Sequence, residues 1–490
     1  MTETFSYQWS SDRAEDRFPV EDPATGEIIA IIQGGGAAEV DRAVRASEQA
    51  FQKWRWVNAR ERSAMLREIS HRLLAHAGEI AELEMLENGK PLVQASFDVH
   101  GAVALFDYFA NLTGMQPTQF FDSGLVYGAT LLEPYGVVAA IIPFNWPPVH
   151  AAGKLASALA VGNTVVVKPP EQDPRSVMRV VEIVQEVVPP DVVQAVPGIG
   201  ADAGYALASH PLVRMITFTG SPATGSAVLR AAAEHHTPTM MELGGKNAMI
   251  ILPDADIDPT VKALLESAYM NQGETCTAGS RILVHRSRHD EVVEKLGGAI
   301  KQLRVGPGTQ PGVHVGPMVN RRHQERVLDY IRIGLEEGAT IAAEGEIPTA
   351  SEYQDGFWVA PMVLTGVNRK MRVAREEIFG PVTCVIPFDD VEEAISIAND
   401  TEFGLTAAVF TRDHPLALRI ARHLDVGMVF INQYFRGGLH GMPFGGTKAS
   451  GYGREHTSET LKAFGRAKLI TMVSGLGEIP NWTAAAEVGL

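Results

Sequence analysis

From residue 136 onward, short wholly apolar runs alternate with stretches whose apolar residues recur every three or four positions. The runs have the length of buried strands and the periodic stretches that of covering helices. Strands are predicted at 136–142, 164–168, 192–196 and 215–218, with helices at 150–159, 176–187, 201–209 and 224–235. That alternation predicts a parallel sheet clothed by helices. A second alternating region starts near Asn247. It has strands at 248–252, 281–284, 383–387, 406–410 and 428–432, and helices at 259–270, 290–303, 320–337, 391–399 and 415–424. Residues 306–317 read as a Gly/Pro-rich connection, and 344–366 as mostly loop and short strand. The chain before this reads differently. Residues 20–33 form a strand pair around Pro23-Ala24-Thr25-Gly26, followed by helices at 38–54, 58–89 and 97–111, with Asn88-Gly89 as a stop. This part reads as helical cladding without chemistry. Residues 125–134 are strand-like and suggest a hairpin arm. Residues 468–472 form a short apolar strand with no obvious partner, whose open edge invites pairing with another subunit.

Composition adds limits. The 490 residues suggest about three units. With 58 acidic and 42 basic residues, the net charge of −16 repels nucleic acid phosphates and anionic lipid, so neither is an expected partner. No apolar run has membrane-spanning length, and residues 1–17 lack the pattern of a signal peptide, so a cytoplasmic location is expected. Two cysteines, Cys276 and Cys384, cannot build a disulfide framework or a cysteine-based zinc site, and the histidines are scattered. No metal is expected.

Parallel sheets hold ligands at the carboxyl ends of their strands. Thr219-Gly220-Ser221 leads from a strand into a helix whose dipole suits a pyrophosphate, although a serine N-cap explains it equally. The G-x-G-x-x-G spacing is missing; Gly198, Gly200 and Gly204 are wider apart. Gly220 to Gly225 has the glycine spacing of a P-loop, but Ser226 stands where lysine is needed, which argues against ATP. Lys168 and Glu171 can grip ribose hydroxyls, and a carboxylate there favours NAD over NADP; the alternative is a surface ion pair. Asn145 is a neutral donor for a developing oxyanion, or a turn asparagine beside proline. Cys276 lies in a loop between Gly273 and Gly279, as nucleophile or as filler. Glu274 counts against a thiolate there, because a nearby carboxylate disfavours it. Glu242 precedes Leu243-Gly244-Gly245, which suggests backbone kept close to a ligand. Cys384 reads as core.

Seven motifs occur in the order found in the NAD(P)-dependent aldehyde dehydrogenase superfamily, which the chain resembles over about 20–472. They are Pro143-Phe144-Asn145-Trp146-Pro147, Lys168-Pro169-Pro170-Glu171, Phe218-Thr219-Gly220-Ser221, Glu242-Leu243-Gly244-Gly245-Lys246, Gly273-Glu274-Thr275-Cys276, Glu376-Glu377-Ile378-Phe379-Gly380-Pro381 and Pro443-Phe444-Gly445-Gly446. The resemblance implies an α/β fold with a Rossmann-like cofactor domain (1–115 and 136–244), a second α/β catalytic domain (245–445) and a β oligomerisation arm (116–135 and 465–490). A homodimer or homotetramer is expected. It implies Cys276 as nucleophile, Glu242 as general base, Asn145 with the Cys276 amide as oxyanion hole, and Lys154 and Glu455 as aids to proton movement. Lys168 and Glu171 would hold the adenosine ribose, Gly220 and Ser221 the pyrophosphate, and Glu377 and Phe379 the nicotinamide end. Ile142, Pro143, Phe144, Gly200 and Leu243 would complete the cofactor site. His323 stands where many members have glutamine against the nicotinamide ribose.

The implied reaction oxidises a small-molecule aldehyde to its acid with NAD, through a cysteine thiohemiacetal and a thioester that Glu242-activated water hydrolyses. Coenzyme A acylation or non-phosphorylating oxidation of a phospho-aldehyde are the alternatives. The implied tunnel comprises Trp146, Val149, Gly153, Met270, Thr275, Thr277 and Phe444. Gly153 suggests room for a branched or aromatic aldehyde, whereas Arg436 near the mouth suggests an acidic one.

Overall fold

The computed structural model describes residues 2–115, 118–434, 440–479 and 487. Two α/β sheets carry the architecture. In the first, five parallel strands lie in the spatial order Thr239–Glu242, Val213–Thr219, Val137–Ile141, Thr164–Lys168, Val193–Ala195. Chain order reverses between Val137–Ile141 and Val213–Thr219, which opens a crevice at the carboxyl ends of those strands. The strands are buried on both faces. Helices Leu92–Leu112, Pro147–Val161 and Pro174–Gln185 cover one face, and Ala37–Trp54 and Pro222–Ala233 the other. The Pro147–Val161 helix starts where the sequence places prolines in its first turn, whose amides need no intrahelical partner, and it stops at left-handed Gly162.

The second sheet has six parallel strands in the order Met362–Thr365, Val382–Phe388, Arg281–His285, Ala248–Ile251, Thr406–Phe410, Met428–Ile431. An antiparallel edge strand, Thr340–Glu344, extends it. That strand is mostly exposed and has no apolar face to announce it, so its sequence reads as loop. Cys384, in Val382–Phe388, is fully buried, as its apolar run predicts.

Three further elements depart from the sequence reading. Residues Glu3–Ser6 add a strand to the predicted pair Arg17–Glu21 and Ile28–Gln33. The helix expected at 201–209 begins as a π-turn, Gly200–Gly204, and only Tyr205–Ala208 is α-helical. The terminal strand Gly465–Val473 has a partner in its own chain: it pairs antiparallel with Val126–Pro134 along its whole length, beside Phe120–Asp122. Pairing so remote along the chain leaves no local signal. The other edge of this arm carries exposed Leu469, Ile470, Met472 and Val473.

The carboxyl ends of the first sheet's strands face the amino ends of the second's, where the chain passes from Glu242 to Ala248. After the second sheet the chain returns, and Gly451–Tyr452 pairs antiparallel with Thr239–Glu242 on the outer edge of the first.

Candidate active site

The strand ends of the first sheet hold the first half of the site. Lys154, on the Pro147–Val161 helix, is buried and donates to Glu455 Oε1 (2.7 Å), Thr219 Oγ1 (2.9 Å) and Thr217 Oγ1 (3.1 Å). Three acceptors use all three ammonium protons. Glu242 ends its strand 2% exposed, and neither carboxylate oxygen has a hydrogen-bond partner among the described residues. Burial, then the like charge of Glu455, push its pKa well above the carboxylate range. Burial works the same way on Glu455, but Lys154, His456 and His150 outweigh it and hold that carboxyl below its ordinary value. Gly445 lies against Glu242: a Cβ there would come within 2.6 Å of Oε1. Its φ of +151° also lies where other residues are strained. Phe444 and Glu455 exchange backbone hydrogen bonds, which ties the Phe444 segment to the carboxylate beside Lys154.

The second half is the loop between helix Ile257–Tyr269 and strand Arg281–His285. Asn271, Gln272 and Gly273 all have left-handed backbone, which turns the chain sharply after Met270. Cys276 is half-buried and is in no disulfide. Asn247 clamps this loop: its Nδ2 donates to the carbonyls of Cys276 (2.9 Å) and Ala278 (2.8 Å), and its Oδ1 accepts from Thr406 N (3.0 Å). Gly245 packs on the Cys276 carbonyl with no space for a Cβ, so the backbone following Glu242 abuts the cysteine loop. Glu274 is fully buried and its pKa is pushed up to about 8 by burial. That shift weakens the charge with which it would oppose a thiolate at Cys276. Its Oε1 accepts from Val319 N and lies 3.4 Å from His323 Nε2.

The loop Phe144-Asn145-Trp146 joins the two halves. The Asn145 carbonyl accepts from Asn271 Nδ2 (2.8 Å) and from Lys90 Nζ (2.8 Å). Trp146 Nε1 donates to Thr275 Oγ1 (3.4 Å), and Thr275 and Thr277 hydroxyls are 3.2 Å apart. Val149 is half-buried and its N–H is held by Asp98 Oδ1 (3.0 Å). Gly153 faces the imidazole of His456: a Cβ there would sit 3.4 Å from Nε2. The room expected beside Gly153 is thus occupied by His456, which stacks on Phe444 at 5.4 Å. Arg436 lies outside the described residues.

The cofactor candidates gather on the crevice side. Lys168 Nζ donates to Glu171 Oε2 (2.7 Å), and Gly200 N donates to the same oxygen (3.2 Å). Ser221 caps helix Pro222–Ala233 by accepting from Thr224 N, and Gly220 N donates to the Glu242 carbonyl. Leu243, nearly buried, packs on Gly225. Glu377 Oε1 accepts from Gly245 N (2.8 Å), and burial raises its pKa to about 7. Gly244 has no space for a Cβ beside that carboxylate. Phe379, itself at φ 64°, packs edge-on to Phe144 and to His323, and His323 Nε2 donates to the Phe379 carbonyl (2.6 Å). Ile142 and Pro143 follow the strand that borders the crevice. A ribose-type pair, a helix N-terminus and a backbone cradle in one crevice fit a dinucleotide.

Lys90, Asn247, Asn271 and His456 escape a reading of the sequence. Asn247, beside the Glu-Leu-Gly-Gly-Lys motif, carries the best available signal; Lys90 sits in a segment that reads as a helix stop.

Similarity to known proteins agrees with this arrangement. The family model described as "Aldehyde dehydrogenase family" matches residues 9–470. Aldehyde dehydrogenase citD of Monascus ruber is 48% identical over 482 residues, covering 98% of this chain and 96% of that protein. An aldehyde dehydrogenase of Didymella fabae is 47% identical, covering 98% and 97%. Among solved structures, betaine aldehyde dehydrogenase of Staphylococcus aureus in complex with NAD+ superposes with a TM-score of 0.92 at 34% identity, covering 96% of this chain and 93% of that one. With a matched family model, relatives along its whole length and the same fold, this chain belongs to the aldehyde dehydrogenase family and is an oxidoreductase.

Proposed function

We propose that this enzyme oxidises an aldehyde to the carboxylic acid with NAD, using Cys276 as nucleophile and Glu242 as the base that activates water. One observation carries the hydrolytic reading. Glu242 is a buried carboxylate with no hydrogen-bond partner among the described residues, on backbone that abuts the cysteine loop. Leaving such a group unsatisfied costs stability, so its retention points to use. Transfer to coenzyme A would need no such base.

The Cys276 thiolate forms a bond to the aldehyde carbon, and the carbonyl electrons move onto oxygen. The Asn145 side-chain amide and the Cys276 N–H stabilise that oxyanion; one such donor is typically worth ~10²–10³ in rate. NAD, when bound, supplies the acceptor for the hydride. Lys168, Glu171, Gly200, Gly220 and Ser221 would hold its adenosine and pyrophosphate side. Glu377, Phe379, His323, Leu243 and residues 142–144 would hold its nicotinamide side. The substrate is then a thioester on Cys276. Glu242 takes a proton from water as the oxygen adds to that carbon, and loss of the C–S bond releases the acid and restores the thiolate. Lys154 and Glu455 pass the proton onward from Glu242.

Glu171 beside Lys168 supports NAD over NADP, since a carboxylate repels a 2′-phosphate. Support for an aromatic aldehyde comes from the wall of Trp146, Phe444 and the His456 ring, whose Nε2 has no protein partner among the described residues. The apolar outer edge of Gly465–Val473 supports a homodimer or homotetramer. The deciding experiment is an NADH-absorbance screen of aliphatic, aromatic and acidic aldehydes with NAD and NADP in parallel. Activity with aromatic aldehydes and NAD is expected; NADH formation only with coenzyme A present, with acyl-CoA as the product, would overturn the hydrolytic reading.

A further inference from the structure

The helical layer ahead of the first sheet contains a buried ionic cluster that the proposed chemistry does not use. Lys90 follows Gly89, the left-handed stop of helix Ala77–Asn88, and is 0% exposed. Its Nζ contacts the Glu84 carboxylate, lies 3.7 Å from Asp98 Oδ2, and donates to the Asn145 carbonyl at 2.8 Å. The same ammonium lies 4.2 Å from the centre of the Trp146 ring. Glu84 is 0% and Asp98 1% exposed.

Nearby groups of the same layer hold the flanking backbone. Asn88 Nδ2 donates to the Phe144 carbonyl (2.8 Å) and to Asp173 Oδ2 (3.1 Å). Asp98 Oδ1 accepts from Val149 N. Every residue from Phe144 to Trp146 is therefore gripped from the layer behind it. Burying an ammonium and two carboxylates is no efficient route to stability, since apolar residues of equal volume do as well or better. What a buried ammonium held by two carboxyl groups adds is a donor at a fixed position. An oxyanion donor is effective only when it is aimed before the charge develops.

We propose that Lys90 is a positioning residue for the oxyanion hole: clamped by Glu84 and Asp98, it fixes the Asn145 carbonyl so that the Asn145 side chain is presented to the Cys276 loop. The inference rests on the assignment of Asn145 as oxyanion donor. Lys90 itself touches neither Cys276 nor substrate in this account; it acts through Asn145.

A double-mutant cycle tests it, with Lys90→Met, Asn145→Ala and the pair, read as the rate of the first NADH burst and as kcat and KM in steady state. Lys90→Met is expected to slow the burst about tenfold or more while KM for NAD changes less than about twofold. In the Asn145→Ala background the same substitution is expected to cost less than about twofold, because its route of action is already gone. A Lys90→Met enzyme with an undiminished burst, or an equal loss in both backgrounds, overturns the proposal. If Lys90→Met fails to fold, Lys90→Arg replaces it in the same cycle, keeping charge and displacing the donor. A loss confined to the Asn145 background then supports the proposal, and no loss or an equal loss in both overturns it. Asn145→Ala at full activity removes the oxyanion assignment itself, and the role of Lys90 with it.

Discussion

Two buried lysines border this site, and their surroundings differ. Lys154 spends its protons on Glu455, Thr217 and Thr219, all side chains, while Glu242, the proposed base, receives no hydrogen bond from the described residues. Lys90 and its neighbours instead grip main chain, the carbonyls of Phe144 and Asn145 and the amide of Val149. One side is poised and the other is pinned. The chemistry explains the contrast. A donor for a developing oxyanion must be aligned beforehand, whereas a base that acts only on the thioester must stay clear of the earlier step. Satisfying every polar group would serve the first task and hinder the second.

The most severe way to break this comparison is to remove the centre both sides serve. Cys276→Ala is expected to lose at least ~10⁴-fold of NADH-forming activity, with unchanged NAD binding by fluorescence titration. Substantial turnover in that variant removes the nucleophile. Next, each side is disabled alone and the phases of the reaction are read separately. Asn145→Ala should slow the burst itself by ~10²–10³, since the pinned side acts on the first oxyanion. Glu242→Gln should keep a full burst and then turn over ~10²-fold or more slowly, since the poised side acts after it. A normal steady state without a burst in Glu242→Gln would contradict the division of labour.

A gentler probe is pH. Burial and Glu455 raise the Glu242 pKa, and the base works only ionised. The rate of thioester hydrolysis should therefore fall about tenfold per unit as pH drops below that raised value, with its limb above the ordinary carboxylate range. Glu242→Gln should flatten this limb; its persistence in stopped-flow deacylation measurements would assign it elsewhere. The smallest effect concerns the cofactor alone. Glu171→Gln should narrow the NAD/NADP preference about tenfold in kcat/KM, without touching the burst-to-turnover ratio that separates the two sides.

The chain alone discloses Glu242, Cys276 and Asn145 better than the Lys90 cluster behind them. Strand–helix alternation yields the first sheet, and Glu242, Cys276 and Asn145 stand at its breaks, beside glycines or prolines that mark sharp backbone. Lys168 and Glu171 are legible for the same reason, being polar residues directly after an apolar run. The Lys90 cluster is not legible in this way. Glu84, Glu87 and Lys90 look like the solvated end of a surface helix, yet all three are 0% exposed, because Asn145 meets Lys90, Lys90 meets Glu84 and Arg175 meets Glu87, the first and last from more than fifty positions away. Glu274 misleads in the same manner. It reads as a charge beside the thiol, but burial weakens that charge. Burial of a charged side chain is decided by tertiary partners, and no local pattern encodes it.

The return of Gly451–Tyr452 to the edge of Thr239–Glu242 has a consequence for how the protein is made. A chain emerging from the ribosome can lay down Lys90, Asn145 and the Cys276 loop long before that edge is covered. At the usual pace of synthesis, several residues each second, the strand bearing Glu242 waits for tens of seconds with a bare margin. The nascent chain thus holds the loop of the proposed nucleophile before the strand bearing Glu242 is covered, and that margin is an open edge during the interval.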